Sequence, residues 1–129
     1  MFFDDTATNF NVALLQSVIP AAISVSNDTQ NYTLVGFSIA GTGGLVKYGA
    51  AKLSLSNANA FAGATVINAG TLSILADSSL GSAPIALDPS HLVLAGGTKL
   101  ETLQLSTTPL NRGIQLGTGS VEFAVANAA

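Results

Sequence analysis

The sequence contains no cysteine and very few charged residues for its length of 129. Without cysteine there can be neither a disulfide framework nor a thiolate zinc site. Charged residues make up 9% of the chain, well below the quarter or so that is typical of globular domains. Ser, Thr, Asn, Gly and Ala must therefore cover the surface. This composition favours a hydrogen-bonded β surface, because the residues that usually form surface helices are scarce.

Basic residues are few and scattered along the chain. The four are Lys47, Lys52, Lys99 and Arg112, and against seven acidic residues they give a formal net charge of -3. Neutralising the phosphates of a nucleic acid requires clustered cations. We therefore expect no nucleic-acid partner.

We expect no targeting segment at the start of the chain and no membrane-spanning segment in its apolar part. The start, MFFDDTATNF, holds two acids where a signal peptide would have a basic segment. The apolar segment 12–25, VALLQSVIPAAISV, is too short to span a bilayer. We expect a single module, 1–129, excised from a longer protein, with no membrane insertion and with its export signal outside this fragment. The neighbouring domains of that parent chain would be its partners.

The clearest pattern in the sequence is a period of two in short segments separated by Gly, Asn, Asp, Pro and Ser. The alternating segments are 52–56 (KLSLS), 71–75 (TLSIL), 84–87 (PIAL), 91–94 (HLVL), 102–105 (TLQL), 113–116 (GIQL) and 120–125 (SVEFAV). Alternation places the aliphatic residues on one face of a strand, which becomes the core face. We predict an all-β fold. Short, similar strands with short connectors favour a solenoid over a sandwich or barrel.

The N-terminal third is open to two interpretations. Val12, Leu14, Leu15, Val18 and Ile19 fit a short amphipathic helix that caps the solenoid. The same residues fit a strand NVALLQ, followed by a turn and a second strand AAISVS. We divide the module into a cap or first turns at 1–40, a repeat at 41–95 and last turns at 96–129.

One segment, GGLVKYGAAKLSLSNANAFAGATVINAGTLSI, contains a recognisable repeat pattern. A Gly-Gly-Leu-x-Lys start leads through Leu-x-Leu-Ser to Asn-x-aromatic-x-Gly-x-Thr and then Asn-Ala-Gly-Thr-Leu. The segment resembles the autotransporter-associated β-strand repeat. The matching residues are Gly43, Gly44, Leu45, Lys47, Gly49, Leu53, Leu55, Ser56, Asn59, Phe61, Gly63, Thr65, Ile67, Asn68, Ala69, Gly70, Thr71 and Leu72.

The resemblance covers most of the chain and weakens after about residue 95. It implies a right-handed parallel β-helix that is secreted or displayed on the bacterial cell surface as part of a long repetitive protein. It implies no catalytic residues, and this repeat is found in proteins of several functions, so fold alone does not assign one.

Catalytic and metal sites find little support in the sequence. The single histidine, His91, precedes an inward-facing leucine, so we expect it to point outward as an ordinary strand residue. The acid pairs Asp77 with Asp88, and Glu101 with Glu122, are expected to be solvated surface residues. Asp4-Asp5 and Asn27-Asp28 are expected to cap turns rather than bind calcium. We therefore predict no enzymatic activity, no cofactor and no metal.

Aromatic residues are the remaining candidates for function. Phe37, Phe61 and Phe123 lie in or beside alternating segments and are expected in the core. A surface that could bind a sugar ring by stacking and hydrogen bonding is predicted from six other residues, namely Tyr32, Tyr48, Lys47, Lys52, Asn57 and Asn59.

Two functional hypotheses follow. The first is a non-catalytic structural or adhesive segment that extends and displays a larger surface protein. The alternative is a carbohydrate-binding module, recognising a polysaccharide such as xylan, attached to a secreted glycoside hydrolase. In either case open strand edges at the ends of the solenoid favour end-to-end self-association.

Overall fold

The structure, a computed structural model, describes residues 1–104 and 111–125. These residues form short strands joined by tight corners, with a single 3₁₀ turn at Asp77–Leu80. The strands are β1 Phe2–Asp4, β2 Asn11–Leu14, β3 Ile23–Ser26, β4 Tyr32–Gly36, β5 Ala40–Gly41, β6 Leu45–Tyr48, β7 Lys52–Leu55, β8 Ala60–Phe61, β9 Thr65–Ile67, β10 Thr71–Ile74, β11 Asp88–Leu94, β12 Lys99–Thr102, β13 Arg112–Leu116 and β14 Glu122–Val125.

The strands stack into two parallel sheets that face each other. Sheet A has the order β1-β3-β6-β9-β11-β13, and sheet B has the order β2-β4-β7-β10-β12-β14. The solenoid has a third, narrower side, called the third edge below. It contains the strand pair β5–β8 and a bridge between Val18 and Ile39. Every turn thus adds one strand to each sheet. The predicted all-β, parallel β-helical fold is confirmed, with about five turns.

The core is a column of aliphatic side chains that repeats with the turns. Leu53 of β7 lies beside Leu72 of β10, and Leu55 lies beside Ile74. Leu53, Leu72 and Leu34 are each 0% exposed. Because parallel neighbours are in register, the period of two in each strand becomes a continuous apolar interior along the solenoid.

Most of the predicted strands are present, including those in the ambiguous N-terminal third. Segment 12–25 forms no helix, and its ends belong to β2 and β3. The alternating segments 52–56, 71–75, 91–94, 113–116 and 120–125 each contain or overlap a strand. The strand interpretation of the N-terminal third is therefore correct.

Two predicted strands differ from the structure. Segment 84–87 is not a strand, and its Ile85 is 100% exposed. The stretch of chain from Thr65 to its pairing partner Leu92 is longer than the stretch from Leu45 to its partner Thr65. The longer turn holds extra residues, which bulge outward. In segment 102–105 the strand ends at Thr102, and position 105 lies outside the described residues.

The three phenylalanines expected in the core have different positions. Phe61 is buried, as predicted, but Phe37 is 59% and Phe123 is 52% exposed. Phe37 follows β4 at a corner, where its amide donates to the carbonyl of Leu14 and its ring points away from the core. Phe123 lies beside Leu100, but no described turn covers its other side. The prediction was wrong for these two.

The corner after β6 depends on a glycine. Gly49 has a φ of +85°, and a Cβ placed there would overlap the carbonyl oxygen of Asn27, one turn away. Side chains are disfavoured at positive φ, and the close backbone approach leaves no space for one. Gly97 has a similar φ of +82°, but a Cβ there would meet nothing within 4 Å.

Alanine substitutions at these two glycines distinguish the energetic cost of backbone strain from that of steric overlap. We expect Gly97→Ala to lower the free energy of unfolding by about 1 kcal/mol, since only its positive φ is disfavoured. Gly49→Ala should cost roughly 2 kcal/mol more, because it also forces two turns apart. Urea denaturation of both variants measures the difference. Equal losses would show that the Gly49 corner tolerates a methyl group.

Candidate functional site

The six residues predicted to form a sugar-binding surface do not lie on one face. Tyr48 is 50% exposed, and the side chain of Lys52 is 39% exposed. The other four are buried, and they are Tyr32, Lys47, Asn57 and Asn59. Their predicted exposure was wrong. Carbohydrate binding itself stays a prediction, with two of its six residues on the surface.

Tyr32 belongs to an aromatic cluster in the first turns. Its ring centroid lies 5.4 Å from that of Phe3 and 5.1 Å from that of Phe10. The hydroxyl donates to the carbonyl oxygen of Asp4 at 2.6 Å. Burial raises the pKa of Tyr32. A buried tyrosine whose hydroxyl has a partner is a packing residue, and it offers no face to a ligand.

Lys47 points into the solenoid, in register with Val25 and Ile67. Its Nζ donates to the carbonyl oxygens of Gly49 at 2.8 Å and of Tyr48 and Ala69 at 3.3 Å each. Three carbonyls match the three protons of an ammonium group. Burial lowers the pKa of Lys47 to about 8. The residue ties the corner of one turn to the next and cannot contact a ligand.

Asn57 and Asn59 form a hydrogen-bonded group at the corner between sheet B and the third edge. Asn59 Oδ1 accepts from the amide of Ile39 and from Asn57 Nδ2, both at 2.9 Å. Asn59 Nδ2 donates to the carbonyl of Ser79 at 2.8 Å, and Asn57 Nδ2 to that of Phe37 at 2.9 Å. The two side chains therefore connect three successive turns.

Acidic side chains cap the corner between sheets A and B, as the sequence predicted. The carboxylate of Asp5 accepts from the amides of Asp28 at 2.8 Å and Gln30 at 3.0 Å. Asp28 in turn accepts from the amide of Ala50 at 3.2 Å. The hydrogen bond from the Asp28 amide is the main reason that the pKa of Asp5 is lowered. Each of these acids caps backbone in the next turn.

The outer face of sheet B carries a row of ion pairs. Lys52 Nζ lies 3.0 Å from Glu101, and Lys99 Nζ lies 3.9 Å from Glu101 and 3.2 Å from Glu122. The hydrogen bond from Lys52 is the main cause of a lowered pKa at Glu101. A carboxyl group held in its ionised form is a poor general acid. With a lysine between them, the two glutamates do not form a catalytic pair.

Asp77 of the second candidate acid pair is buried, so the expectation that it is a solvated surface residue was wrong. Asp77 accepts two hydrogen bonds from Arg112, at 3.1 and 3.3 Å, and Arg112 also donates to the carbonyls of Leu80 and Gly81. Arg112 is 4% exposed. This buried pair fastens the 3₁₀ turn to strand β13. Breaking such a pair is costly, since it leaves an uncompensated buried charge.

His91 is 3% exposed, so the expectation that it points outward was wrong. The register between β11 and β13 shifts between Asp88 and Leu92, which interrupts the alternation on which that expectation rested. His91 Nδ1 lies 3.6 Å from the Asp88 carboxylate. Asp88 also accepts from the amide and hydroxyl of Ser90, and these bonds lower its pKa.

Within 1–104 and 111–125, no three His, Asp or Glu side chains converge as metal ligands. No helix in that part of the chain has the length and apolar character needed to cross a bilayer.

Comparison with known proteins gives two matches. Residues 45–74, from β6 to β10, match the family model of the passenger-associated-transport-repeat. The chain is also 35% identical over 92 residues to the adhesin BmaC autotransporter of Brucella suis biovar 1 (strain 1330), which covers 71% of this chain and 2% of that protein. The chain thus spans a small fraction of this relative's length. No solved structure matches significantly.

The chain is an autotransporter passenger repeat module. This repeat and its adhesin relative identify a structural, non-catalytic unit. In the structure the passenger repeat is the middle of the solenoid, where Leu45, Leu53 and Leu72 form the core and Gly49 forms a corner. Its polar residues Lys47 and Asn59 are internal.

The period of two already contained the signal for the buried polar residues. Lys47 lies two residues after the core residue Leu45, and Tyr32 lies two before Leu34. In a strand such pairs share a face. We predicted that Tyr32 and Lys47 are exposed because their side chains are polar. A lysine is rarely buried unless all its protons have hydrogen-bond partners.

The buried ammonium of Lys47 predicts a pH dependence of stability. Its pKa is lowered from 10.5 to about 8 in the folded state, so above about pH 8 the unfolded chain binds more protons at this site. The free energy of unfolding should therefore rise with pH, by about 2 kcal/mol between about pH 8 and about pH 9.5. Lys47→Met should lose this rise in urea titrations.

The matched control is Lys99→Met, which removes a lysine that is 33% exposed and should keep the rise. The series stops at about pH 9.5, because above it Tyr32 ionises more readily in the unfolded chain than in the folded one, which opposes the rise. The same slope in wild type and Lys47→Met would contradict the assignment.

Proposed function

We propose that this module is an adhesive display segment of a larger surface protein. The observation that supports the proposal is the adhesin relative, 35% identical over 92 residues, which belongs to a secreted or surface-displayed class. The stacking from β1 to β14 fits such a role. Because each turn contacts only its neighbours, turns can be added to lengthen the protein without a new core.

The side surface available for adhesion is mostly uncharged. Exposed apolar side chains occur at the third edge and its corners, and they are Leu15, Ile19, Phe37, Ile85 and Leu87. Among the described residues of the segments that form this edge, the only charged one is Asp77, which is buried against Arg112. Apolar surface of this kind is typical of interaction sites. We place the adhesive contact there.

Adhesion can be measured with beads that carry the purified module. We expect these beads to bind cultured epithelial cells several-fold more than albumin-coated beads. The double variant Leu15→Ser with Phe37→Ser should reduce binding, since it removes apolar area from the third edge. Tyr48→Ser, on sheet A, is the control for an exposed aromatic elsewhere. Cell binding no higher than that of the albumin-coated beads would contradict the adhesive role. The module would then serve only to lengthen the parent protein.

We also propose end-to-end contact through the last described turn. Phe123 pairs in register with Leu100, and Val125 with Thr102, yet Phe123 is 52% and Val125 is 46% exposed. Leu116 of β13 is 53% exposed beside Leu94. A further turn, whether from a neighbouring segment or from a second molecule, would bury these side chains and pair with the strand edges.

Sedimentation velocity tests this contact. The wild-type module should associate as its concentration rises, and Phe123→Ser with Val125→Ser should shift it to monomer, because the apolar contact area is lost. Tyr48→Ser removes a similarly exposed aromatic from the side and should not change association. A wild-type module that is monomeric at all concentrations would exclude end-to-end contact between two molecules.

A further inference from the structure

Columns of inward-facing side chains run through the solenoid from its first turn to its last. Because neighbouring strands are parallel and in register, each turn adds one residue to a column. One column in sheet A begins at Phe3 of β1 and ends at Leu116 of β13. A column in sheet B begins at Val12 of β2 and ends at Val125 of β14. Both columns are therefore apolar at each end.

The two ends of these columns differ in how well they are covered. Phe3 and Val12 are partly buried, since the second turn packs against them. Leu116 and Val125 also face inward, but they are 53% and 46% exposed because no described turn lies beyond them. The side chains that would continue the two columns are apolar residues at the same two positions of a further turn. The first turn of this chain has such residues.

Strand direction determines which end of a second molecule fits the last turn. In a second copy placed with its first turn on this last turn, the strands stay parallel, and sheet A follows sheet A as sheet B follows sheet B. Turning the second copy over, so that two last turns meet, reverses its strands and the order of its sheets around the axis. That arrangement does not continue the parallel register found between turns within the molecule.

We propose that the last described turn binds the first turn of a second copy of this chain, head to tail. This inference rests on the end-to-end contact proposed above and specifies its partner surface. Strand β1 of the second copy pairs with β13, which places Phe3 beside Leu116. Strand β2 pairs with β14, which places Val12 beside Val125. A head-to-tail contact leaves one binding surface free at each end, so further copies can add to both.

A variant that lacks only the last-turn surface tests the direction of the contact. Phe123→Ser with Val125→Ser keeps the first turn intact, so it should bind the last turn of a wild-type molecule and then stop further addition. Sedimentation velocity of the wild-type chain should therefore show smaller assemblies when this variant is mixed in. Tyr48→Ser, which changes the side surface, should join the assemblies without shortening them. Wild-type assemblies of unchanged size in the first mixture would overturn the head-to-tail contact.

Disulfide cross-linking tests the register, because the chain contains no cysteine of its own. Phe2, which is 64% exposed, and Gln115 occupy the same outward-facing position of sheet A in the first and last turns. In the proposed contact their Cα atoms lie about 4.8 Å apart, a separation that a disulfide can bridge. Phe2→Cys mixed with Gln115→Cys should cross-link several-fold faster under mild oxidation than either variant alone. Phe2→Cys mixed with Glu122→Cys, which lies on sheet B, is the control and should cross-link slowly.

The outcomes distinguish this inference from the contact on which it rests. If the molecules associate and one cysteine variant cross-links mainly with itself, the head-to-tail direction is wrong, although end-to-end contact stands. If the control pair cross-links as fast as the pair on sheet A, the register is wrong. A wild-type chain that remains monomeric would overturn both the head-to-tail contact and end-to-end contact between two molecules.

Discussion

Every feature of this molecule depends on the in-register stacking of one turn on the next through parallel backbone hydrogen bonds. The interior is only as wide as the gap between sheets A and B, so each side chain that points inward has its neighbours one turn before and one turn after it. A polar residue in such a column must find its partners on adjacent backbone, because an unpaired buried polar group is costly.

Three buried polar residues meet this constraint by binding the turns together. Lys47 bridges the carbonyls of Gly49 and Ala69, and Asn59 bridges Ile39 and Ser79. Arg112 reaches back to Asp77. These contacts resemble the polar sites of an enzyme in their residue types. They differ in being closed, since their hydrogen-bonding groups are used within the fold.

The alternation of leucine in 52–56 and 71–75 was enough to predict the strands, their inward faces and the solenoid. The same alternation predicted a strand wrongly in one segment. Segment 84–87 has the same alternating letters, yet it bulges from the longest turn, and Ile85 is fully exposed. The candidate surface was predicted less well. Tyr32 and Lys47 were assigned outward by side-chain type, whereas their spacing from Leu34 and Leu45 places them inside.

The sequence by itself determined the all-β class, the period of two and the repeat between 45 and 74, because these follow from which residue types recur at which spacing. Only the tertiary structure decided which polar side chains are internal. That choice depends on the backbone groups of the neighbouring turn, some twenty residues away in sequence, and no local pattern contains them.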